Sequence, residues 1–179
     1  MTEAEPFSRV VRVDALPKDG QSVAIEASPA ERQALASLYK LPAIAVLRAS
    51  LSLSRAGRGG VRVTGAVHGE LTQICVVSLE PFPATVDEDV DVRFAPRSED
   101  DAARRPSEEP ETFSTVDQDE PDPIVDGKID LGALAAEFFA LGLDPYPRKP
   151  GASFIPPDAT REQESPFSAL ADPAKRRRN

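Results

Sequence analysis

Two alternating runs of apolar and polar residues make residues 61–96 the most regular part of the chain. In the first run, Val61–Gln73, most residues on one parity are apolar or glycine, and most residues on the other are polar. The second run, Ala84–Ala95, alternates in the same way. A period of two predicts strands with one face on a core and the other in water. Because a strand interior does not accept proline, Pro81 and Pro83 predict a corner between these two strands.

The chain before residue 61 predicts three more strands and one helix. The strand patterns cover residues 7–16, 22–27 and 43–54. The glycines of residues 55–60 are typical of a hairpin that leads into the central strand. The helix is predicted to have Ser28 as its N-cap, Pro29 as its first residue and Glu31 in a capping box. Pro42 is predicted to end it, because proline cannot continue a helix.

This order of elements predicts an α+β fold. We expect an antiparallel sheet of about five strands with one or two packed helices. Residues 1–97 are predicted to form the strand-rich core domain. Five strands that include one long hairpin either stay open or curl into a split barrel. The pattern is compatible with both arrangements, so the closure of the sheet stays open at this point.

The composition changes abruptly after Pro96. The whole chain has 179 residues, 18 of them prolines, and a formal charge of −9. Residues 98–126 hold 11 acidic residues and two arginines, so this segment accounts for the net charge. Because it has little to bury, we predict an acidic, disordered linker. Two interpretations of it remain: a solvated spacer, or a segment that docks a basic partner.

Residues 127–151 predict an apolar helix followed by a proline-rich segment. Asp130 is a candidate N-cap, and Leu131–Leu143 is apolar around most of its circumference, as in a helix that is buried or bound to a partner. We predict that it docks on the core, since each exposed Phe or Leu would forfeit about 1.5 to 3 kcal/mol. Residues 152–179 are predicted to be a disordered tail with a basic end.

Six motifs follow one another in the chain: Cys75 near a strand end, Leu79-Glu80-Pro81, an alternating strand that ends at Phe94, the acidic linker, Ile129-Asp130-Leu131 and Pro145-Tyr146-Pro147. In this order they resemble the pattern of the YceD family, named for large ribosomal RNA subunit accumulation, and the match spans most of the chain, from about Phe7 to Gly151. Many members have a second cysteine where this chain has Ser78, so a paired thiol is absent here. The resemblance implies a non-enzymatic role in the accumulation or processing of large-subunit (23S) ribosomal RNA.

The residues that carry chemistry are few. One cysteine and one histidine allow neither an internal disulfide nor a multi-cysteine zinc site. By strand parity His68 lies on the face opposite Cys75, so we interpret Cys75 as structural rather than as a nucleophile or metal ligand. We therefore predict no enzyme activity, no metal and no cofactor. A cytoplasmic protein that does not span a membrane is expected, because no long apolar run or signal peptide is present.

Basic residues after the apolar helix are the candidate contacts with RNA phosphate or a partner. They are Arg148, Lys149, Lys175, Arg176, Arg177 and Arg178. Our first hypothesis is a ribosome-biogenesis factor that binds ribosomal RNA or a large-subunit assembly intermediate. The alternative is a protein-interaction adaptor whose acidic linker captures a basic ribosomal protein and affects the RNA indirectly.

Overall fold

The computed structural model of the protein describes residues 6–57, 59–96 and 121–154. Its elements are β1 (Val10–Arg12), β2 (Gln21–Glu26), α1 (Pro29–Leu38), β3 (Ala43–Ala56), β4 (Gly60–Ile74), β5 (Pro81–Pro96), β6 (Asp122–Ile124), β7 (Lys128–Asp130) and α2 (Leu131–Leu141). One sheet has the order β2-β3-β4-β5-β6 and is antiparallel except for β5 and β6, while β1 and β7 form a two-stranded sheet. The α+β prediction is confirmed, and the five-stranded sheet is open rather than closed into a barrel.

The long hairpin of β3 and β4 supplies most of the core. The two strands pair from Ala43 opposite Thr72 to Ala56 opposite Gly60, with one register shift between Ile44 and Val46. Apolar residues on the inner face of the hairpin are at most 3% exposed: Leu47, Leu51, Leu53, Val61, Val63, Val67 and Leu71. The predicted alternation is therefore confirmed, with the apolar parity turned to the core and the polar parity turned to solvent.

The predicted corner at Pro81 and Pro83 is wrong, because both prolines lie inside β5. The Cys75 N–H donates to the Glu80 carbonyl (2.9 Å), which makes these two residues a hydrogen-bonded pair. With the continuous register of β4 and β5, even-numbered β5 residues then bond to β4, and odd-numbered ones turn their N–H groups away. The prolines occupy odd positions and remove no bond from the ladder. The chain turns earlier, at residues 76–78.

The start of α1 is tied to the first strand by an ion pair. Ser28 and Glu31 form the predicted capping box. The Glu31 carboxylate also accepts a hydrogen bond from Arg9 Nη1 (2.7 Å), and this bond lowers the pKa of Glu31 to about 2. Glu31 thus completes the helix N-terminus with Ser28 and also binds Arg9, which holds the segment before β1 against the helix.

The apolar helix α2 covers the inner face of the sheet. Asp130 is its N-cap, as predicted, and accepts hydrogen bonds from the Gly132 and Ala133 N–H groups. Phe139 is fully buried where β4 has Gly69, and a side chain at that glycine would overlap the phenylalanine ring. The helix ends at Leu141, two residues before the predicted end. α2 thus packs on the core through Phe139.

Pairing of β1 with β7 joins the predicted core domain to the segment 127–151. The first strand is shorter than the predicted 7–16, because the chain turns after Arg12 and the Leu16 N–H donates to the Val13 carbonyl (3.3 Å). Most of the predicted linker, residues 98–120, lies outside the described residues. The last part of the predicted linker belongs to the sheet, because Asp122–Ile124 pair in parallel with the end of β5. In the predicted tail, residues 155–179 also lie outside the described residues.

The register predicts opposite effects of proline at two neighbouring positions of β5. Thr85→Pro should change the free energy of unfolding by less than about 1 kcal/mol, since the Thr85 N–H does not bond to β4. Ala84→Pro should cost at least about 2 kcal/mol, because it removes a ladder bond and leaves a carbonyl without its donor. Thermal unfolding of both variants measures the difference. Equal destabilisation would contradict this register.

The contact between Gly69 and Phe139 predicts that Gly69→Ala is destabilising by about 1 to 3 kcal/mol, because the added methyl group overpacks the core beneath α2. Chemical denaturation measures the loss. A double variant that adds Phe139→Leu is the control: its loss should be smaller than the sum of the two single losses, since the smaller side chain makes room for the methyl group. Additive losses would argue against this packing.

Candidate functional site

Two segments far apart in sequence meet at one end of the sheet, and we call them together the motif surface: the turn Cys75–Glu80 and the extended segment Asp144–Lys149. Beyond Thr72, β4 has no partner in β3. The extended segment lies along this part of β4. The Val76 N–H donates to the Pro147 carbonyl (2.9 Å), and Gln73 Nε2 donates to the Asp144 carbonyl (3.2 Å). The Cys75 and Leu-Glu-Pro motifs before the acidic segment and the Pro-Tyr-Pro motif after it therefore form one site.

Cys75 is buried at the centre of this site. Its sulfur accepts hydrogen bonds from the Val77 and Ser78 N–H groups, each at 3.4 Å. Hydrogen bonds from the Ser78 side chain and backbone lower the pKa of the thiol to about 6, and a bond from the Lys149 backbone contributes in the same direction, while burial opposes them. The sulfur thus holds the turn around itself through hydrogen bonds to two successive N–H groups.

Ser78 occupies the place of the second cysteine and takes part in the same turn. Its hydroxyl hydrogen-bonds to the sulfur of Cys75, and its oxygen also accepts the Glu80 N–H at 3.4 Å. A serine at this position therefore satisfies the turn with hydrogen bonds. The turn does not need a second thiol to close.

The turn also exposes an apolar side chain in a strained conformation. Leu79 has a φ of 59°, a left-handed conformation that is costly for a branched residue, and its N–H donates to the Cys75 carbonyl (2.9 Å). The residue is 76% exposed. Val76 and Tyr146 are exposed on the same motif surface. Sequence reasoning did not single out these three residues, although the Leu-Glu-Pro and Pro-Tyr-Pro motifs contain two of them.

The structure places two of the six predicted contact residues on the motif surface. Lys149 Nζ forms an ion pair with Glu80 Oε2 (2.8 Å), which raises the pKa of the lysine and lowers that of the glutamate. Arg148 is exposed and has no ion pair within the described residues. The other four, Lys175, Arg176, Arg177 and Arg178, lie outside the described residues. Of the two predicted contacts that the structure describes, Arg148 is therefore the one without an ion pair in the described part of the chain.

The outer face of the sheet holds a separate polar group. His68 Nδ1 lies 2.6 Å from Asp87 Oδ1, and its Nε2 lies 3.7 Å from Glu70 Oε1. This face is opposite the core, so His68 does not approach the buried Cys75, as the parity predicted. Within residues 6–57, 59–96 and 121–154, no three His, Cys, Asp or Glu side chains group as metal ligands would. In the same residues no helix has the length and apolar character of a membrane span.

Fold and site define an α+β protein with an open sheet, a helix over its inner face and a motif surface built from two distant segments. A family model described as large ribosomal RNA subunit accumulation protein YceD matches residues 63–172, and this chain belongs to that family. The name of the family implies a role in the accumulation of large ribosomal subunit RNA. Searches of curated proteins and of solved structures found no match.

The hydrogen bonds at Cys75 predict a thiol that titrates near pH 6 instead of near 9.0, its ordinary value. Ser78→Ala should raise the pKa, and the ultraviolet absorbance of the thiolate measures it without ambiguity because the chain has one cysteine. Ser52→Ala, on the outer face of β3, should leave it unchanged.

The lowered pKa of Cys75 also sets a sign for the pH dependence of stability. Above about pH 6 the folded protein holds a thiolate, while the unfolded chain stays protonated up to about its ordinary pKa of 9.0. The unfolded state binds more protons in this window, so the contribution of the thiol to stability should rise with pH and vanish below pH 6. Cys75→Ala should abolish this slope in urea unfolding. A slope of the opposite sign would mean that burial outweighs the hydrogen bonds.

Proposed function

We propose that this protein promotes the accumulation of large-subunit ribosomal RNA without catalysing a reaction, by binding 23S ribosomal RNA or a large-subunit assembly intermediate in the cytoplasm. Membership of the YceD family carries the proposal. The matched residues 63–172 include both segments of the motif surface. A binding role suits these segments, because their polar groups are used to hold the surface together and the Cys75 thiol is buried.

The motif surface offers the chemistry of a contact with single-stranded RNA. Tyr146 is 73% exposed and close in sequence to Arg148, which has no ion-pair partner among the residues that the structure describes. An exposed aromatic ring can stack on a base, and a guanidinium can bind a phosphate through two hydrogen bonds. Lys149 contributes less charge, since Glu80 neutralises it. Additional phosphate contacts would come from the basic residues 175–178, which makes the affinity depend on salt.

A protein adaptor is the second candidate function, and the charge of β5 favours it. Asp87, Asp89 and Asp91 alternate on the outer face of this strand, which leads directly into the acidic residues 98–126. A basic ribosomal protein would bind such a surface, whereas RNA would be repelled by it. In this alternative the effect on ribosomal RNA is indirect.

Density-gradient sedimentation of cell extracts tests the first candidate. The protein should co-migrate with large-subunit precursors at about 50 mM salt and leave them as salt rises past about 200 mM, because phosphate contacts release counterions. Arg148→Gln combined with glutamine at residues 175–178 should weaken the association at a given salt concentration. Arg12→Gln with Lys18→Gln, at exposed positions far from the motif surface in the chain, controls for the loss of positive charge elsewhere and should have a much smaller effect.

Two further experiments separate the two candidate functions: neutralising the acidic residues of segment 98–120, and depleting the protein from cells. A variant in which residues 98–120 keep their length but carry Asn and Gln in place of Asp and Glu leaves β6 intact. Direct RNA binding should be unchanged or stronger in this variant, whereas the adaptor should lose its partner. If the protein stays at the top of the gradient at every salt concentration and its depletion leaves 23S ribosomal RNA at normal levels, the proposed function is wrong.

A further inference from the structure

Most of β5 is paired on one side only. Residues 81–94 pair with β4, and on the opposite side β6 reaches only Phe94–Pro96. In the part of the chain that the structure describes, no strand pairs with the outer side of residues 81–93. This open edge is longer than the six residues of β2 at the other end of the sheet. An edge of this length is a template for an added strand.

The register shows which backbone groups the edge presents. Since even-numbered residues of β5 bond to β4, the N–H groups of Thr85, Asp87, Asp89 and Asp91 point outward together with their carbonyls. At Pro81 and Pro83 the edge has carbonyls but no donors. The part that can accept a full strand ladder is therefore residues 85–91, which we call the β5 edge.

The charges of the β5 edge decide what fits it. Every charged residue between Thr85 and Asp91 is acidic: Asp87, Glu88, Asp89 and Asp91. His68 hydrogen-bonds to Asp87, and Arg62 Nε donates to Asp91 Oδ1 (2.7 Å), whereas Asp89 has no ion pair within the described residues. A second copy of the strand would bring aspartates together, and like charges on paired strands are destabilising. Basic side chains would instead complement the edge.

We propose that the β5 edge binds an extended basic polypeptide as an additional strand of the sheet. Backbone groups of residues 85–91 supply the ladder, and basic side chains at alternate positions of the ligand lie opposite Asp87, Asp89 and Asp91. The intervening side chains of the ligand continue the inner face next to Val86 and Val90. This proposal concerns a protein ligand and does not depend on RNA binding at the motif surface. It also gives the adaptor a site outside residues 98–126.

Acidic residues and prolines on an edge strand also have a purely protective use, because they prevent aggregation between sheets. The two roles differ in what they bind. A protective edge rejects every strand, whereas a docking edge accepts a basic strand and rejects an acidic one. The half-buried Glu88, which points inward, selects further against a fully apolar strand.

The experiment is an NMR titration of the full ¹⁵N-labelled chain with a soluble synthetic peptide of about nine residues that alternates lysine with threonine, long enough to span an average strand. We expect shifts and slowed hydrogen exchange at the amides of Thr85, Asp87, Asp89 and Asp91. The matched peptide with glutamate in place of lysine should cause neither. Asp89→Lys should weaken binding at least about threefold, because a repulsive pair replaces an attractive one. Glu26→Lys, on the β2 edge, should leave the affinity unchanged.

Four results would overturn the proposal. The first is the absence of shifts in β5, or shifts located at the β2 edge or in residues 97–120 instead. The second is slow exchange of the four amides before any peptide is added, which would mean that another part of the chain already covers the edge. The third is an equal response to the glutamate peptide or to a single-stranded RNA oligonucleotide. The fourth is an unchanged affinity in both Asp89→Lys and the milder Asp89→Asn. None of these results bears on sedimentation with large-subunit precursors.

Discussion

The hydrogen-bonded register between β4 and β5 is the constraint on which the rest of the structure depends. Its first bond, from the Cys75 N–H to the Glu80 carbonyl, determines which residues of β5 face the core and which backbone groups face away. A slip by one residue would turn Val86 and Val90 to solvent and the aspartates to the core. It would also direct Pro81 and Pro83 at β4. The apolar pattern, the prolines and the charges of β5 are all consistent with this single register.

The motif surface depends on the same end of the ladder. Because β4 continues past its partner β3, the extended segment after α2 lies beside the end of β4, and its Pro147 carbonyl accepts the N–H of Val76, two residues beyond the strand. The turn then closes around the Cys75 sulfur and leaves Leu79 exposed at a positive φ. Strain of this kind persists where the surrounding structure holds it, and it is common at binding surfaces. The extended segment follows α2, and the fully buried Phe139, packed over Gly69, holds that helix on the sheet.

Charge separates two surfaces of this protein that suit different ligands. The motif surface has a nearly balanced charge, an exposed tyrosine and, two residues later, an arginine without an ion pair in the described residues, whereas the outer face of β5 is acidic. Under the two proposals, RNA binds the first surface and is repelled by the second, and a basic polypeptide has the opposite preference. If both proposals hold, one molecule binds ribosomal RNA and a basic protein at separate surfaces without competition between them. Such an arrangement fits a factor that acts while ribosomal RNA and ribosomal proteins assemble.

The sequence by itself determined the local features of this protein. The capping box of Ser28 and Glu31, the N-cap Asp130 and the alternation of β3 to β5 were predicted correctly, because each depends on neighbours within a few residues. The docking of α2 followed from its apolar circumference alone. Only the tertiary structure decided the pairing of β1 with β7, the strand β6, the harmless position of Pro81 and Pro83, and the union of the Cys75 turn with the segment that contains Lys149. Each of these depends on hydrogen bonds between residues far apart in the chain, and a pattern of apolar and polar positions does not contain the partner of an individual backbone group.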